Sequence, residues 1–523
     1  MQITLAHVQS VCYNHSNNAF GGNQMKIRRI AAVFLALVAV VCLASCNQNT
    51  EESTVVSNTT SGGSGDKTYQ AQIPDGFTLN GEEFVILNEA SNPDSLKYTE
   101  FGYGELESSV INDAVLERNL YVEELLDCKI VERLVNRLTF ECTNVVRNEV
   151  GSNLATFKIV APAMLEASVL AQEGYFYNLY TLENLNGLND EWWDAYFKES
   201  AEIFGKLFFA TGDIGFFTRD TLPGIFFNKE TLKSLELQSP YELVKEHKWT
   251  LDVMKTWAKG ITEDVDNNGI IDYNDKFGVG GQMDNIWEYY HGSGEKLCTT
   301  DEKGYPITSF TTERAVNVVT KALEIMQDDN IYVCANDYFN DGGWYVNSPM
   351  EYITNAFVEG RSLFLSSSLS ALEDLRNMDI DFGILPIPMY DETQDNYYSL
   401  INPWRGNAFT IPNYLTEDEA EAAAVVMNVL GAEGRNTLRP AYYEVALKGQ
   451  RARDDESQEM LDIIFNTAGC DIGFIYNWGN MTSTILHAAV DAAPGSYISN
   501  ADAQMSAIKA AIDATVVEFE KMK

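Results

Sequence analysis

Twelve residues, DVDNNGIIDYND from Asp264 to Asp275, carry oxygen-bearing side chains at alternate positions. A hard cation such as calcium takes about six to eight oxygen ligands, which a loop of this length supplies from positions 1, 3, 5, 7, 9 and 12. Those positions hold Asp264, Asp266, Asn268, Ile270 (through its carbonyl), Asp272 and Asp275. Gly269 stands at the sharp turn, where a Cβ would clash. Ile271 offers an apolar side chain to pin the loop to a core. The last ligand is a short Asp where a sensor loop has a long bidentate Glu, and a sensor pairs two loops to open an apolar groove. One loop is found here, so the expectation is structural Ca2+, a brace and not a switch. The alternative is a solvated acidic turn.

Other chemistries have little to draw on. No GxSxG, HExxH or GxxxxGK[ST] pattern occurs. Downstream of Cys46 the histidines are His247, His291 and His487, and the cysteines are Cys128, Cys142, Cys298, Cys334 and Cys470, none in a CxxC. Buried free thiols are expected, with a Cys128–Cys142 bridge as the alternative. A glycosidase would need two placed carboxylates. With 76 acidic residues, carboxylate pairs occur anywhere and decide nothing. The formal charge of −40 repels phosphate backbones, so no nucleic-acid partner is expected.

The chain also carries an address. Residues 1–24 contain no Asp, Glu, Lys or Arg and read as translation upstream of a misassigned start. From Met25, the cations Lys26, Arg28 and Arg29 precede a short apolar run, Ile30 to Val41, and then Leu43-Ala44-Ser45-Cys46. A run this short before a processing site is an export signal and not a spanning helix. Leu-Ala-Ser-Cys matches the lipobox of bacterial lipoproteins, which implies cleavage before Cys46 and a diacylglycerol anchor on it. Residues 25–45 are thus the signal peptide. Residues 46–75 are the lipidated cysteine and a Ser/Thr/Asn/Gly-rich tether.

The elements that must position any site follow. EEFVILN, CKIVERL and ATFKIVAPA read as strands around an amphipathic helix at Asn112–Asp127, with Val115, Tyr121, Val122, Leu125 and Leu126 on one face. KLFFATGDI, GIFFNKE, SLFLSSS and DFGILPIP are further strands. Thr416 and Glu419 form a capping box that opens a helix. The C-terminal helix carries a stripe of Met505, Ile508, Ile512, Val516 and Phe519. Strands alternating with helices predict an α/β fold with a largely parallel sheet.

The order of these segments resembles the extracellular sugar-binding proteins (family 1) of bacterial ABC importers, over most of residues 80–520. The resemblance rests on NDAVLERN with VEELLDCKI, EGYFYNLYTLENLNGLNDEWWD, GKLFFATGDI with GIFFNKE, WTLDVMKTWAKGITEDVDNNG, FVEGRSLFLSS and DFGILPIPMYDE. It implies a two-lobed periplasmic-binding-protein-like fold of type II, with crossing hinge strands and a ligand cleft between the lobes. Lobe 1 would be residues 76–210 and 385–412; lobe 2 would be 211–384 and 413–523.

A sugar offers C–H faces to aromatic rings and hydroxyls to Asp, Asn or Arg. In the family an aromatic residue near GFIYNWGN stacks on sugar, which makes Trp478 the leading ligand residue. Trp404 and Arg405 in INPWRGNAF, Asp213 at the inter-lobe crossing, Trp287 and Tyr290 in NIWEYYHG, and Ser367 at a strand end complete the candidates. Trp192 and Trp193 read better as packing residues. The implied function is non-enzymatic: a monomeric, lipid-anchored receptor on the extracellular face of the cell membrane. It would capture a carbohydrate, an oligosaccharide by the number of aromatic segments, and deliver it to ABC transporter permease subunits. The alternatives are a ligand-sensing co-receptor for a signalling system, or a non-sugar ligand such as a peptide.

Overall fold

The computed structural model describes residues 68–90, 99–102, 109–338, 350–375, 381–448 and 455–522. The export signal, Cys46 and most of the tether lie outside the described residues. No helix among the described residues is long and apolar enough to cross a membrane.

The first sheet is built from β1 (Glu82–Ala90), β2 (Cys128–Asn136) and β3 (Ile159–Ala161), all parallel, in the order β2-β1-β3. Phe84, Ile86 and Leu87 of β1 are all fully buried, as expected for a parallel strand covered on both faces. The crossover from β1 to β2 is α1 (Val110–Leu126). Ser109 caps its start by accepting from the Asn112 amide, and Asp127 ends it in the left-handed region at φ 50°. The buried stripe of α1 runs through Val115, Val122 and Leu126, whereas Tyr121 and Leu125 are exposed. The expected face was therefore one column too wide. α2 (Glu141–Gly151) follows β2, and α3 (Met164–Gln172) follows β3. Antiparallel bridges from Val160 to Thr410 and from Phe409 to Ala210 extend the sheet with two passing segments.

The second sheet contains β4 (Pro223–Asn228), β5 (Phe277–Gly281), β6 (Tyr332–Cys334), β7 (Ser362–Ser368) and β8 (Phe382–Leu385), in the order β8-β4-β7-β5-β6. β5 is parallel to β6 and β7, while β4 is antiparallel to β7 and β8. The carboxyl ends of β5 and β7 thus lie at the edge where β4 begins. α4 (Asn285–Gly292) leaves β5 at that edge.

The C-terminal third departs from the expected division at residue 413. α5 (Glu417–Asn436) has its capping box, with the Thr416 hydroxyl 2.9 Å from Glu419 Oε2. It and α6 (Leu438–Lys448) pack against α1, beside the first sheet and not the second. The cause is visible in the contacts. Asn428 on α5 accepts from the indole N–H of both Trp192 (2.8 Å) and Trp193 (3.1 Å), which ties the helix to the segment entering the crossing. Those two tryptophans are packing residues. α7 (Tyr497–Lys521) buries Ile508, Ile512, Val516 and Phe519, and Phe519 meets Phe208 at 5.0 Å between ring centroids. The five described cysteines are unbridged, Cys128 and Cys142 included.

Asp213 marks the crossing between the sheets, but its carboxylate is not open to a ligand. It is 3% exposed, 3.0 Å from Arg219, 2.8 Å from Arg435 and 3.7 Å from Arg439. Burial alone would raise its pKa, yet the three guanidinium groups together bring it below the usual carboxylate range. A charge removed from water needs such partners. The substitution Asp213→Asn leaves the arginines short of one negative charge. It should lower stability by about 3 kcal/mol in urea unfolding, and an unchanged midpoint would show the cluster to be solvated.

Candidate functional site

Ligands of open α/β sheets bind outside the carboxyl ends of the strands. At that end of the first sheet lies a cavity of about 770 Å³. Three aromatic rings line it, those of Phe140, Trp404 and Tyr476, with the side chains of Asn144, Asn477 and Asn480 between them. Its charged lining is Arg137, Arg147, Arg405 and Glu166. A second cavity, about 820 Å³, is lined by Phe227, Lys229, Tyr241 and Glu456. It sits at the far end of the second sheet, because β4 runs opposite to β7.

The loop Ile401–Asn407 presents two of the cavity residues. Asn402 folds it: its side chain accepts from the Trp404 amide at 3.0 Å and its carbonyl from Gly406 at 2.7 Å. The carbonyls of Gly406 and Pro403 accept the free amides of Met164 and Leu165 at the start of α3. The loop is thus locked to the first sheet, with Trp404 42% exposed over the cavity. Arg405 reaches across to the second sheet, where its Nη1 is 3.3 Å from Ser368 Oγ at the end of β7.

The floor is polar and buried. Arg137 follows β2 and donates to the Arg405 carbonyl (2.6 Å), to the Glu89 carbonyl (3.2 Å) and to Asn407 Oδ1. Asn407 donates to Asn88 Oδ1 at 2.9 Å. Glu89 lies 3.6 Å from the Arg137 Nε and is fully buried. Desolvation and the neighbouring Glu166 push its carboxyl above the ordinary range. Glu100, also buried, is pushed up to about 7 by desolvation. Phe140 stands at the mouth with φ 53° and is 54% exposed. A bulky residue in the left-handed region is rare, and such positions concentrate at binding sites.

On the second-sheet side, Asn285 at the start of α4 donates to Glu288 at 2.6 Å and accepts from Tyr332 at 2.6 Å. Burial pushes Glu288 up to about 8, with Asp284 adding to the rise and Arg405 opposing it.

The structure brings Trp404 and Arg405 together in the cavity and places the other sequence candidates elsewhere. Trp478 is 3% exposed; its indole N–H donates to Thr515 at 2.7 Å, and its ring stacks on Tyr476 at 5.1 Å. Tyr476 is the ring that lines the cavity, and Trp478 is its backing. The turn at Asn477 (φ 44°) and Gly479 (φ 64°) accounts for this, since it reverses the chain between the two side chains and α7. Tyr290 is fully buried and donates to the Lys296 carbonyl at 3.1 Å. Trp287 is 3% exposed, stacked on His487 at 4.3 Å. Both belong to the apolar faces of α4, a short helix buried along its whole length. Ser367 is half-buried, pairs in register with Gly224 and does not line the cavity.

Sequence reasoning missed Arg137, Phe140, Asn144, Arg147 and Glu166. The available signal was NRLTFECTN, where Leu138 and Phe140 put apolar side chains into a connection after a parallel strand, the place where ligands bind.

In the calcium-type loop, carboxylate oxygens of Asp264, Asp266 and Asp275 lie within 4.8 Å of one another. Gly269 turns at φ 82°, and Asp275 is fully buried. Asn268 stays close, its amide on Asp266 at 3.0 Å. Asp272 instead accepts from the Asn274 amide at 2.7 Å and stands outside the trio. Ile270 has its side chain 67% exposed, consistent with a carbonyl-only role. Three converging carboxylates with no basic partner among the described residues fit a hard cation. Ile271 and Tyr273 pin the loop against the core, with Tyr273 stacked on Tyr352 at 4.6 Å.

No protein-family model and no curated protein matches this chain. Solved structures do. The cyclic α-maltosyl-1,6-maltose binding protein of Arthrobacter globiformis is similar at a TM-score of 0.54 and 12% identity, covering 82% of this chain and 98% of that one. The maltose-binding periplasmic protein of Listeria monocytogenes, in complex with maltose, gives 0.51 and 13% over 83% and 98%. An ABC substrate-binding protein of Listeria monocytogenes, in complex with cycloalternan, gives 0.50 and 11% over 85% and 100%. The chain therefore has the two-lobed α/β fold of these substrate-binding proteins.

Glu288 yields a signed pH dependence. Its folded pKa, about 8, lies above the unfolded value near 4.5, so its contribution to stability is complete below about pH 4.5 and is lost as pH rises through 8. Glu288→Gln keeps an acceptor for Asn285 and cannot ionise. Between pH 5 and pH 9 the melting temperature of the variant should gain on that of the parent, a difference on the order of a few kcal/mol. Parallel curves for the two proteins would refute an uncharged Glu288.

Proposed function

We propose that this chain is a substrate-binding protein that captures a carbohydrate in the cavity described and delivers it to an ABC transporter permease, held at the extracellular face of the membrane by a lipid on Cys46. The observation that carries the reading is the lining: three aromatic rings and several amide and guanidinium groups around one space of about 770 Å³. Rings cover the apolar C–H faces of a sugar, and fixed donors and acceptors satisfy its hydroxyls. That space has room for more than one sugar ring, which favours an oligosaccharide. The fold adds weight, since proteins that share it are described with maltose and cycloalternan bound.

The mechanism is binding and closure without a covalent step. Sugar faces stack on Tyr476 and Trp404, and hydroxyls meet Asn144, Asn477 and Asn480. Hinge closure between the lobes then brings groups of the second sheet over the ligand. The contact between Arg405 and Ser368 joins the loop at the cavity wall to the end of β7 in the second sheet. In this reading calcium is a brace: Asp264, Asp266, Asn268 and Asp275 hold it, with the Ile270 carbonyl. When bound, the ion neutralises the carboxylates and fixes the loop that feeds β5 and α4.

Sugar capture and the calcium brace are tested separately. A thermal-shift screen against linear and cyclic oligosaccharides should find a ligand, and Trp404→Ala should weaken it about tenfold in calorimetry. Trp478→Phe should lower the melting temperature of the free protein and leave affinity within about threefold. If Trp404→Ala binds as the parent does, the cavity is not the sugar site. For the brace, EDTA should lower the melting temperature and calcium should restore it, at about 2.7 kcal/mol for a hundredfold excess over Kd. A double variant Asp264→Asn with Asp266→Asn should lose that response. Indifference of the parent to EDTA and to added calcium would remove the ion from the account.

A further inference from the structure

The cavity is cationic in a protein that is otherwise strongly acidic. The chain has 76 Asp and Glu against 36 Lys and Arg. Yet three guanidinium groups and one carboxylate line this space. The carboxylate, Glu166, is already engaged by the amide and hydroxyl of Thr143. Arg147 forms a two-pronged pair with Glu173. Arg137 has Glu89 at 3.6 Å.

Arg405 differs. With acids outnumbering bases about two to one, many of the described arginines are held by carboxylates: Arg133 by Glu149, Arg219 by Asp194, Arg314 by Glu295, Arg361 by Glu359, Arg435 by Asp213. Among the described residues, Arg405 has no carboxylate within 4 Å, and its hydrogen-bond partner is the neutral Ser368 hydroxyl at 3.3 Å. Its backbone is fixed by the Asn402 turn and by the Arg137 donation to its carbonyl. The guanidinium is thus a positioned cation at the cavity wall, next to the exposed ring of Trp404. A planar fork of this kind pairs with a carboxylate or sulfate through two parallel hydrogen bonds.

We propose that the carbohydrate is acidic, an oligosaccharide whose carboxylate or sulfate group pairs with Arg405 while its ring faces stack on Trp404 and Tyr476. This rests on the carbohydrate reading above and narrows it to a substrate class. Neutral glycans leave the guanidinium with water, the Ser368 hydroxyl and the more distant Glu288, whose carboxyl burial keeps largely uncharged near neutral pH. An anionic one supplies the partner that the protein withholds.

The test is calorimetric titration of the purified chain with matched pairs of glycans. Tetragalacturonate is compared with its methyl ester, which removes charge and keeps the backbone. Chondroitin tetrasaccharide is compared with its sulfated form, which separates sulfate from carboxylate as the recognised group. Maltotetraose and cellotetraose serve as neutral references. The charged member of one pair should bind at least about tenfold tighter than its partner, in the range of a charge-assisted hydrogen-bonded pair. Arg405→Gln should erase that preference, and Arg405→Lys should restore part of it. Arg405 is exposed, so an unchanged melting temperature of the free variants will show that the fold is intact. Binding of a neutral glycan with equal or greater affinity, and no effect of Arg405→Gln on the ratio, would overturn the acidic ligand and leave the carbohydrate reading standing. Absence of binding to every glycan, charged or neutral, would overturn both.

Discussion

Asp213 is a charge buried where the chain leaves one sheet for the other, and much of the architecture answers to it. A carboxylate removed from water is tolerated only with partners in good geometry. Those partners come from three places: Arg219 from the short helix before β4, and Arg435 and Arg439 from the end of α5 and the start of α6. Arg219 also holds Asp194 at 2.6 Å. The ion cluster therefore fixes the crossing segment to the C-terminal helices and to the entry of the second sheet at once. Gly434 allows this approach, since a Cβ there would fall 1.8 Å from the Asp213 carbonyl.

With the crossing fixed, the carboxyl ends of the first sheet are left facing β7. Asn407 sits at that junction and bonds Asn88, Arg137 and the Glu89 carbonyl. It ties a segment that follows β8 to the ends of β1 and β2. The same connection orients the Trp404 and Arg405 turn, so the cavity wall is a consequence of how the chain returns to the first sheet. The rings at the opposite side depend on α7, because Thr515 holds Trp478, and Trp478 backs Tyr476.

Much of the fold was legible in the sequence because it is written in periodicity. The apolar runs of β1, β4 and β7, the α5 capping box and the stripe of α7 all appear as read. The site was only half legible. Trp404 and Arg405 lie in a loop with turn residues and exposed positions, where sequence and structure agree on what points outward. Trp478, Trp287 and Tyr290 stand out in the sequence by aromatic character, which marks a buried core as readily as a ligand face. Nothing in GFIYNWGN tells which of its two rings faces the cavity; the left-handed turns at Asn477 and Gly479 decide it. Arg137 and Phe140 could not be found from residue type, since their role follows from lying at the end of a parallel strand. The assignment of α5 and α6 failed for a similar reason: a helix that is buried on most faces does not announce which sheet it covers.

Charge in the cleft shows why a count of acids and bases misleads locally. Three carboxyls stand close to its walls, Glu89 and Glu100 behind the first sheet and Glu288 behind the second. Burial raises all three, Glu100 to about 7 and Glu288 to about 8. Near neutral pH much of their negative charge is therefore absent, removed by the cost of ionising a carboxyl away from water. Arg137, by contrast, cannot give up its proton in this range even though burial lowers its affinity for it. The three guanidinium groups of the lining thus keep their charge, while the buried carboxyls behind it lose much of theirs. A chain with a formal charge of −40 can in this way hold a positive cleft, because desolvation acts on the groups that can become neutral and leaves arginine charged.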